Sequence, residues 1–205
     1  ENQFLRGAGA TMDLGKHLEG TAFISHKQLD ANVQAPDTSA GGADATEAIF
    51  SSFLEDGYHR TPTELGKKDA IDELIYGGNL NYKGQGWSLG ATAAQERFGN
   101  TFVRSSTYPY NQFDFQGDAN TTYGFDWNVL YRNLTWFGEG ARGGNGGMAG
   151  VSGLLVALDK RLSLALLYRD LQRDFHGLYS SAFEEGSNSW NERGLYTWIE
   201  LKPDR

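Results

Sequence analysis

The sequence predicts an all-β chain, an antiparallel up-and-down meander of about nine strands with short helices in one long loop. Three observations carry this. From Asn120 to Asp170 the chain repeats a period-two apolar pattern four times, broken only by short turn signals. Connections after the first, third, fifth and seventh strands are short and those after the second, fourth and eighth are long, with only the one after the sixth short. The aromatic residues collect at two levels along the strands rather than evenly.

Composition agrees. Within 205 residues there are 27 glycines, 13% aromatics and only 4 prolines, a mixture that suits long curved strands better than helices. The length suits one domain, and no linker divides it. The net charge of -8 argues against a general nucleic-acid surface. With no cysteine, disulfides, zinc-thiolate sites and thiol nucleophiles are excluded. No run of about 18 apolar residues occurs, so no spanning helix is predicted. A spanning strand needs only alternate apolar residues, and the mean hydropathy of -0.52 fits that. The chain opens at Glu1 without an initiator Met or signal peptide, which leads us to expect a fragment of a larger barrel.

In chain order, Phe4–Leu14 and Leu18–Asp30 form a hairpin turned at Gly15-Lys16. The 31–70 connection carries two helix signals. Asp44 and Glu47 cap a short helix with Ile49, Phe50, Phe53 and Leu54 on one face. Thr61-Pro62-Thr63-Glu64 is a capping box with proline at the first helical position, leading into Leu65–Ile71. The apolar row of the first helix predicts a lid that folds over the barrel mouth. Leu74, Tyr76, Gly78, Leu80 and Tyr82 then form an apolar row, and after a turn at Lys83–Gly86 the chain returns through Trp87, Leu89, Ala91 and Ala93. A polar connection, 99–119, leads to the meander. There Tyr123, Phe125, Trp127, Val129 and Tyr131 alternate with Gly124, Asp126 and Asn128. Arg132-Asn133 turns the chain into Leu134–Arg142, and Asn145-Gly146 offers the positive φ angles of a tight hairpin. Ala149, Val151, Gly153, Leu155 and Ala157 form the next apolar row. Asp159-Lys160 turns it, and Leu162, Leu164, Leu166 and Tyr168 follow. After a loop at 171–192 comes a last strand, Gly194–Leu201.

Short turns at one end of a meander and long loops at the other are the asymmetry of outer-membrane barrels. Tyr82, Trp87, Tyr131 and Trp136 mark the short-turn end of the apolar face, and Tyr76, Tyr123 and Tyr168 the long-loop end. Two aromatic belts around an aliphatic band are expected where strands cross both interfaces of a bilayer. On this reading Tyr123, Phe125, Trp127, Val129 and Tyr131 face lipid. Asp126, Asn128, Glu139 and Arg169 (with Glu200) face the lumen, and 31–70, 99–119 and 171–192 are external.

Several peptides carry a resemblance: Gly57-Tyr58-His59-Arg60-Thr61-Pro62, Lys68-Asp69-Ala70-Ile71, Gly77-Gly78, Tyr108-Pro109-Tyr110-Asn111 and Asn191-Glu192-Arg193-Gly194-Leu195-Tyr196-Thr197. Together, from about Phe4 to Leu201, they resemble the barrel-like C-terminal region of Gram-negative outer-membrane-associated helix-hairpin-helix domain-containing proteins. The resemblance implies a location in the outer membrane. It also implies a DNA-binding module outside this region, and hence a link to DNA handling at the envelope. It supplies no catalytic residues.

Motifs for chemistry are weak. Gly144-x-Gly146-x-x-Ala149 imitates a dinucleotide fingerprint but sits in a hairpin turn. His17, His26, His59 and His176 are scattered. His59 and His176 lie in long loops beside Glu55, Asp56 and Asp174, the makings of a rim hydrolase dyad. Asn111, Asp114 and Asp118 are oxygen ligands suited to calcium, in no loop-motif spacing. The leading expectation is therefore a non-enzymatic outer-membrane barrel segment serving as pore, anchor or assembly component. It needs no cofactor and no metal, and this segment binds no nucleic acid. Its expected partners are membrane lipid, other envelope proteins and the rest of the parent barrel. The alternatives are a barrel-rim hydrolase and a soluble β-sandwich or lipocalin-like binding protein.

Overall fold

The computed structural model describes residues 4–34, 48–54, 56–104, 111–177, 179 and 191–202. Nine strands follow one another in a single antiparallel up-and-down path. They are β1 (Gly7–Asp13), β2 (Leu18–Leu29), β5 (Ile71–Gly84), β6 (Trp87–Phe102), β7 (Gly117–Tyr131), β8 (Leu134–Gly143), β9 (Met148–Asp159), β10 (Leu162–Leu171) and β11 (Glu192–Leu201). Two short strands lie off this path: β3 (Ala31–Gln34) pairs with β4 (Ile49–Phe53), and β4 pairs in parallel with β6 through Ile49↔Thr101 and Phe50↔Phe102. Among the described residues the sheet is not closed, since β1 and β11 each end the order.

The turns have the chemistry expected of them. Arg132 takes φ 54, the left-handed conformation that lets the two-residue Arg132-Asn133 turn match strand twist, and Gly146 takes φ 97 within the 144–147 connection. The last tight turn falls one residue later than its sequence signal, at Lys160-Arg161.

Two expectations are corrected. The stretch with Ile49, Phe50, Phe53 and Leu54 is not helical: Ile49–Phe53 is β4. Its aromatic and β-branched residues favour an extended backbone, and the open end of β6 supplies a strand to pair with. The second signal does make a helix, α1 (Pro62–Leu65), one turn long, and the chain is already in β5 at Ile71. Thr61 Oγ1 accepts from the Glu64 N–H at 3.2 Å while Glu64 Oε2 accepts from the Thr61 N–H at 3.2 Å, so the capping box is complete. The 99–119 connection is also shorter than expected, because β6 runs to Phe102 and β7 starts at Gly117.

The chain divides into two compact units. The first comprises 1–9, 23–76 and 95–120; the second comprises 10–22, 77–94 and 121–205. The first has a core of Leu29, Ala31, Phe50, Ile71, Ile75, Phe98, Phe102 and Phe115, all buried. In the second, a sheet face carries its large apolar side chains exposed: Leu80, Tyr82, Tyr123, Phe125, Tyr131 and Trp136 among them.

Candidate functional site

The register of β7–β11 settles which residues share a face in the second unit. Residues directly opposite in an antiparallel pair point to the same side. Tyr123↔Arg142, Phe125↔Gly140, Trp127↔Gly138, Val129↔Trp136 and Tyr131↔Leu134 therefore lie on one face. It continues through Trp136↔Leu154 and Leu134↔Val156 into Leu164 and Leu166 of β10. Tyr123, Phe125 and Tyr131 are 56%, 49% and 62% exposed, while Trp127 and Val129 are half-buried among their neighbours. Trp127 lies over Gly138, where a Cβ would strike the indole ring. The ring takes the space that the missing side chain leaves.

The other face carries a row of charges. Asp126 pairs with Glu139, Glu139 with Val151, Val151 with Arg169 and Arg169 with Gly194, so Asp126, Glu139 and Arg169 stand on one line across the strands. Asn128, opposite Phe137, lies two residues along on the same face. Arg169 is 3% exposed, forms an ion pair with Glu192 at 3.0 Å and stacks its guanidinium over Tyr196 at 4.9 Å. Glu200, opposite Ser163, shares that face. One row is reassigned: Ala149, Val151, Gly153 and Leu155 are on the side of Glu139 and Arg169, not of Tyr123–Tyr131. The bilayer-like aliphatic stretch of β9 is Leu154 and Val156.

The first unit holds a polar cluster that the sequence reading passed over. Lys27 of β2 and Glu73 of β5 form an ion pair at 3.4 Å with both side chains 2% exposed. Lys27 also donates to the carbonyl of Phe4 at 2.7 Å and sits over its ring at 4.9 Å. Glu96 of β6, buried, accepts from Asn120 Nδ2 of β7 at 3.1 Å. Burial pushes the Glu96 carboxyl up to about 7, against the pull of the Asn120 hydrogen bond and with a further push from Glu73. The signal was present in the alternation: Lys27 is in phase with buried Ser25 and Leu29, Glu73 with Ile71 and Ile75, and Glu96 with Phe98. Charged residues standing in a core row read, in sequence, as breaks in the row.

β4 supplies the apolar cover of this unit. Phe50, fully buried, meets Phe98 at 5.7 Å and Phe102 at 4.9 Å between ring centroids, and Phe53 meets Phe98 at 5.6 Å. Ile49 and Leu54 are half-buried. The four residues are thus ordered and packed, as a strand rather than a helix.

The histidines are not brought into one site. His59 Nε2 lies 2.7 Å from Asp30 Oδ2, and Asp30 Oδ1 accepts from the Asp69 N–H at 2.9 Å. Burial opposes ionisation of Asp30, but the Asp69 and His59 hydrogen bonds outweigh it and hold the carboxyl below its ordinary range. His59 belongs to the first unit and His176 to the second, where its Nδ1 is 3.3 Å from Asn145 Nδ2. Asp56 accepts from the Tyr58 N–H, and Glu55 lies outside the described residues. Asp114 pairs with Arg104 at 3.0 Å, and no group of acids and histidines among the described residues is arranged to hold a metal.

No helix among the described residues is long and apolar enough to cross a membrane, which says nothing of crossing by strands. No protein-family model matches the chain, and neither a curated protein nor a solved structure is similar to it.

Proposed function

We propose that the chain is part of the wall of an outer-membrane β-barrel, a non-enzymatic pore, anchor or assembly component. The observation that carries the reading is the exposed face of Tyr123–Tyr131 and its continuation across β8–β10, where charges (Arg142, Asp170 and Arg193) stand only at the Tyr123 end while Asp126, Glu139 and Arg169 lie on the other side. A contiguous apolar surface of this extent marks contact with lipid or protein. Between Tyr123 and Tyr131 the strand rises about 27 Å at 3.4 Å per residue, close to the roughly 25 Å band of a spanning barrel. Tyr82 and Trp87 stack at 5.2 Å at the tight-turn end, as an interfacial girdle does. A shallow apolar groove of about 720 Å³ on the same unit, lined by Met12, Leu14, Gly78, Leu80, Ala91 and Tyr123, suits acyl chains. The crossing stretches on this reading are 10–22, 77–94 and the strands from Tyr123 to Leu201. Lys27, Glu73 and Glu96 lie outside them. A link to DNA handling rests on the family resemblance alone.

The test is a pair of substitutions on adjacent residues. Arginine in mid-strand on a lipid face costs about 2–4 kcal/mol. Trp127→Arg is expected to abolish most heat-modifiable folding into detergent or bilayer, whereas Asn128→Arg, on the other face, leaves it nearly intact. Equal effects, or full folding in water without detergent, would reject a membrane wall and favour a soluble sheet.

A further inference from the structure

The cluster of Lys27, Glu73, Glu96 and Asn120 is larger than a structural ion pair requires. Two buried carboxyls lie close together: Glu73 is paired with Lys27, and Glu96 accepts from the neutral amide of Asn120. The charged group that acts on Glu96 is Glu73 of β5, which is itself paired with Lys27 of β2. On β7, Asp118, two residues from Asn120, is exposed; on β6, Arg97 points to the opposite side. β3 and β4 bring no charge: Ala31–Gln34 and Ile49–Phe53 contain no acid, base or histidine. Glu96 and Phe98 share the buried face of β6, and Phe98 is covered by Phe50 and Phe53.

We propose that β3–β4 is a pH-controlled strap, closed by its phenylalanines while Glu96 is protonated and released when Glu96 ionises. The protonated acid is neutral and satisfied in place. Loss of its proton sets a second negative charge beside Glu73, in buried surroundings that hydrate it poorly. Water reaches the new charge once Phe50 and Phe53 lift from Phe98 and Phe102. A carboxyl with a raised folded-state pKa stabilises the closed form at low pH, and this contribution is lost as pH rises through about 7. The ends of the described strands are tied down: Ala31 N–H donates to the Lys67 carbonyl, just after α1, at 3.0 Å, and Leu54 N–H to the Asp30 carbonyl, between β2 and β3, at 2.9 Å. The inference does not depend on whether the sheet lies in a membrane.

Hydrogen exchange of the full chain, with rates divided by the intrinsic chemical rate at each pH, tests it. Amides of Ile49–Phe53 are expected to lose at least tenfold protection between pH 6 and pH 8.5, while those of β8 and β9 keep theirs. Glu96→Gln keeps a hydrogen-bonding side chain that cannot ionise, and its strap protection is expected to be flat over this range. Glu73→Gln removes the neighbouring negative charge that raises Glu96, so the midpoint moves to lower pH. Constant protection in the unsubstituted chain, the same fall in Glu96→Gln, or an unmoved midpoint in Glu73→Gln would overturn the proposal.

Discussion

Individual side chains here are placed by what they must avoid. Asp30 illustrates it: half enclosed between β2 and β3, it keeps its charge because the Asp69 amide and His59 bond to it. Such a carboxylate stabilises the fold in full above about pH 4, the ordinary carboxyl range, and that stabilisation disappears as pH falls through its lowered value. Asp30→Asn is therefore expected to lower stability at neutral pH and to flatten the acid limb of the stability profile below pH 4. Chemical denaturation at pH 3 and pH 7 measures both effects, and equal losses at the two pH values would show that the bond to His59 carries no charge component. Glu64 is held below its usual range by the Arg60 side chain and the backbone amides of Arg60 and Thr61, and its role is to start the helix.

At the scale of the element, the informative case is β4. Four large apolar residues within Ile49–Leu54 demand burial whichever secondary structure they adopt, each worth about 1.5–3 kcal/mol. A short helix would have put all four on one stripe. The strand instead buries Phe50 against Phe98 and Phe102 and takes backbone bonds from β3 and β6. Val103 N–H donates to the Phe50 carbonyl at 2.9 Å, extending that ladder. Limited chymotrypsin digestion of the folded chain is expected to spare Phe50, Phe53 and Leu54 at pH 6 and below. Phe50→Ala, at about 3–5 kcal/mol for a buried phenylalanine, is expected to expose the strap to cleavage while β5–β11 stay intact. Rapid cutting of the unsubstituted strap at pH 6 would show that its packing is weak.

For the whole molecule, the alternation of tight turns with longer connections fixes the direction of every strand. The proposed barrel wall, with its tight turns facing the periplasm, would place the β6–β7 connection outside the cell. Because the chain has no cysteine, single-cysteine variants report this without background. Asn111 is buried, so its exposed neighbour Gln112 is the residue to label. Gln112→Cys on intact cells is expected to react with an impermeant maleimide, and Asp159→Cys, next to the β9–β10 turn, is expected to stay unlabelled. The reverse pattern would invert the orientation.

The sequence by itself determined the strands of the meander, their tight turns, the complete capping box at Thr61–Glu64 and the common face of Tyr123, Phe125, Trp127, Val129 and Tyr131. All of these are local: a period of two, a positive φ, a side chain reaching back three residues. Tertiary structure decided the rest. In β9 every position from Ala149 to Ala157 except Ser152 is apolar or glycine, so alternation has no contrast to read and only pairing with β8 and β10 assigns its faces. β4 became a strand because a distant segment, Thr101-Phe102, offered it backbone partners. Lys27, Glu73 and Glu96 came together from three strands far apart in sequence. A charge is stable inside a fold when another part of the chain brings its partner, and the sequence around any one of the three does not contain that partner.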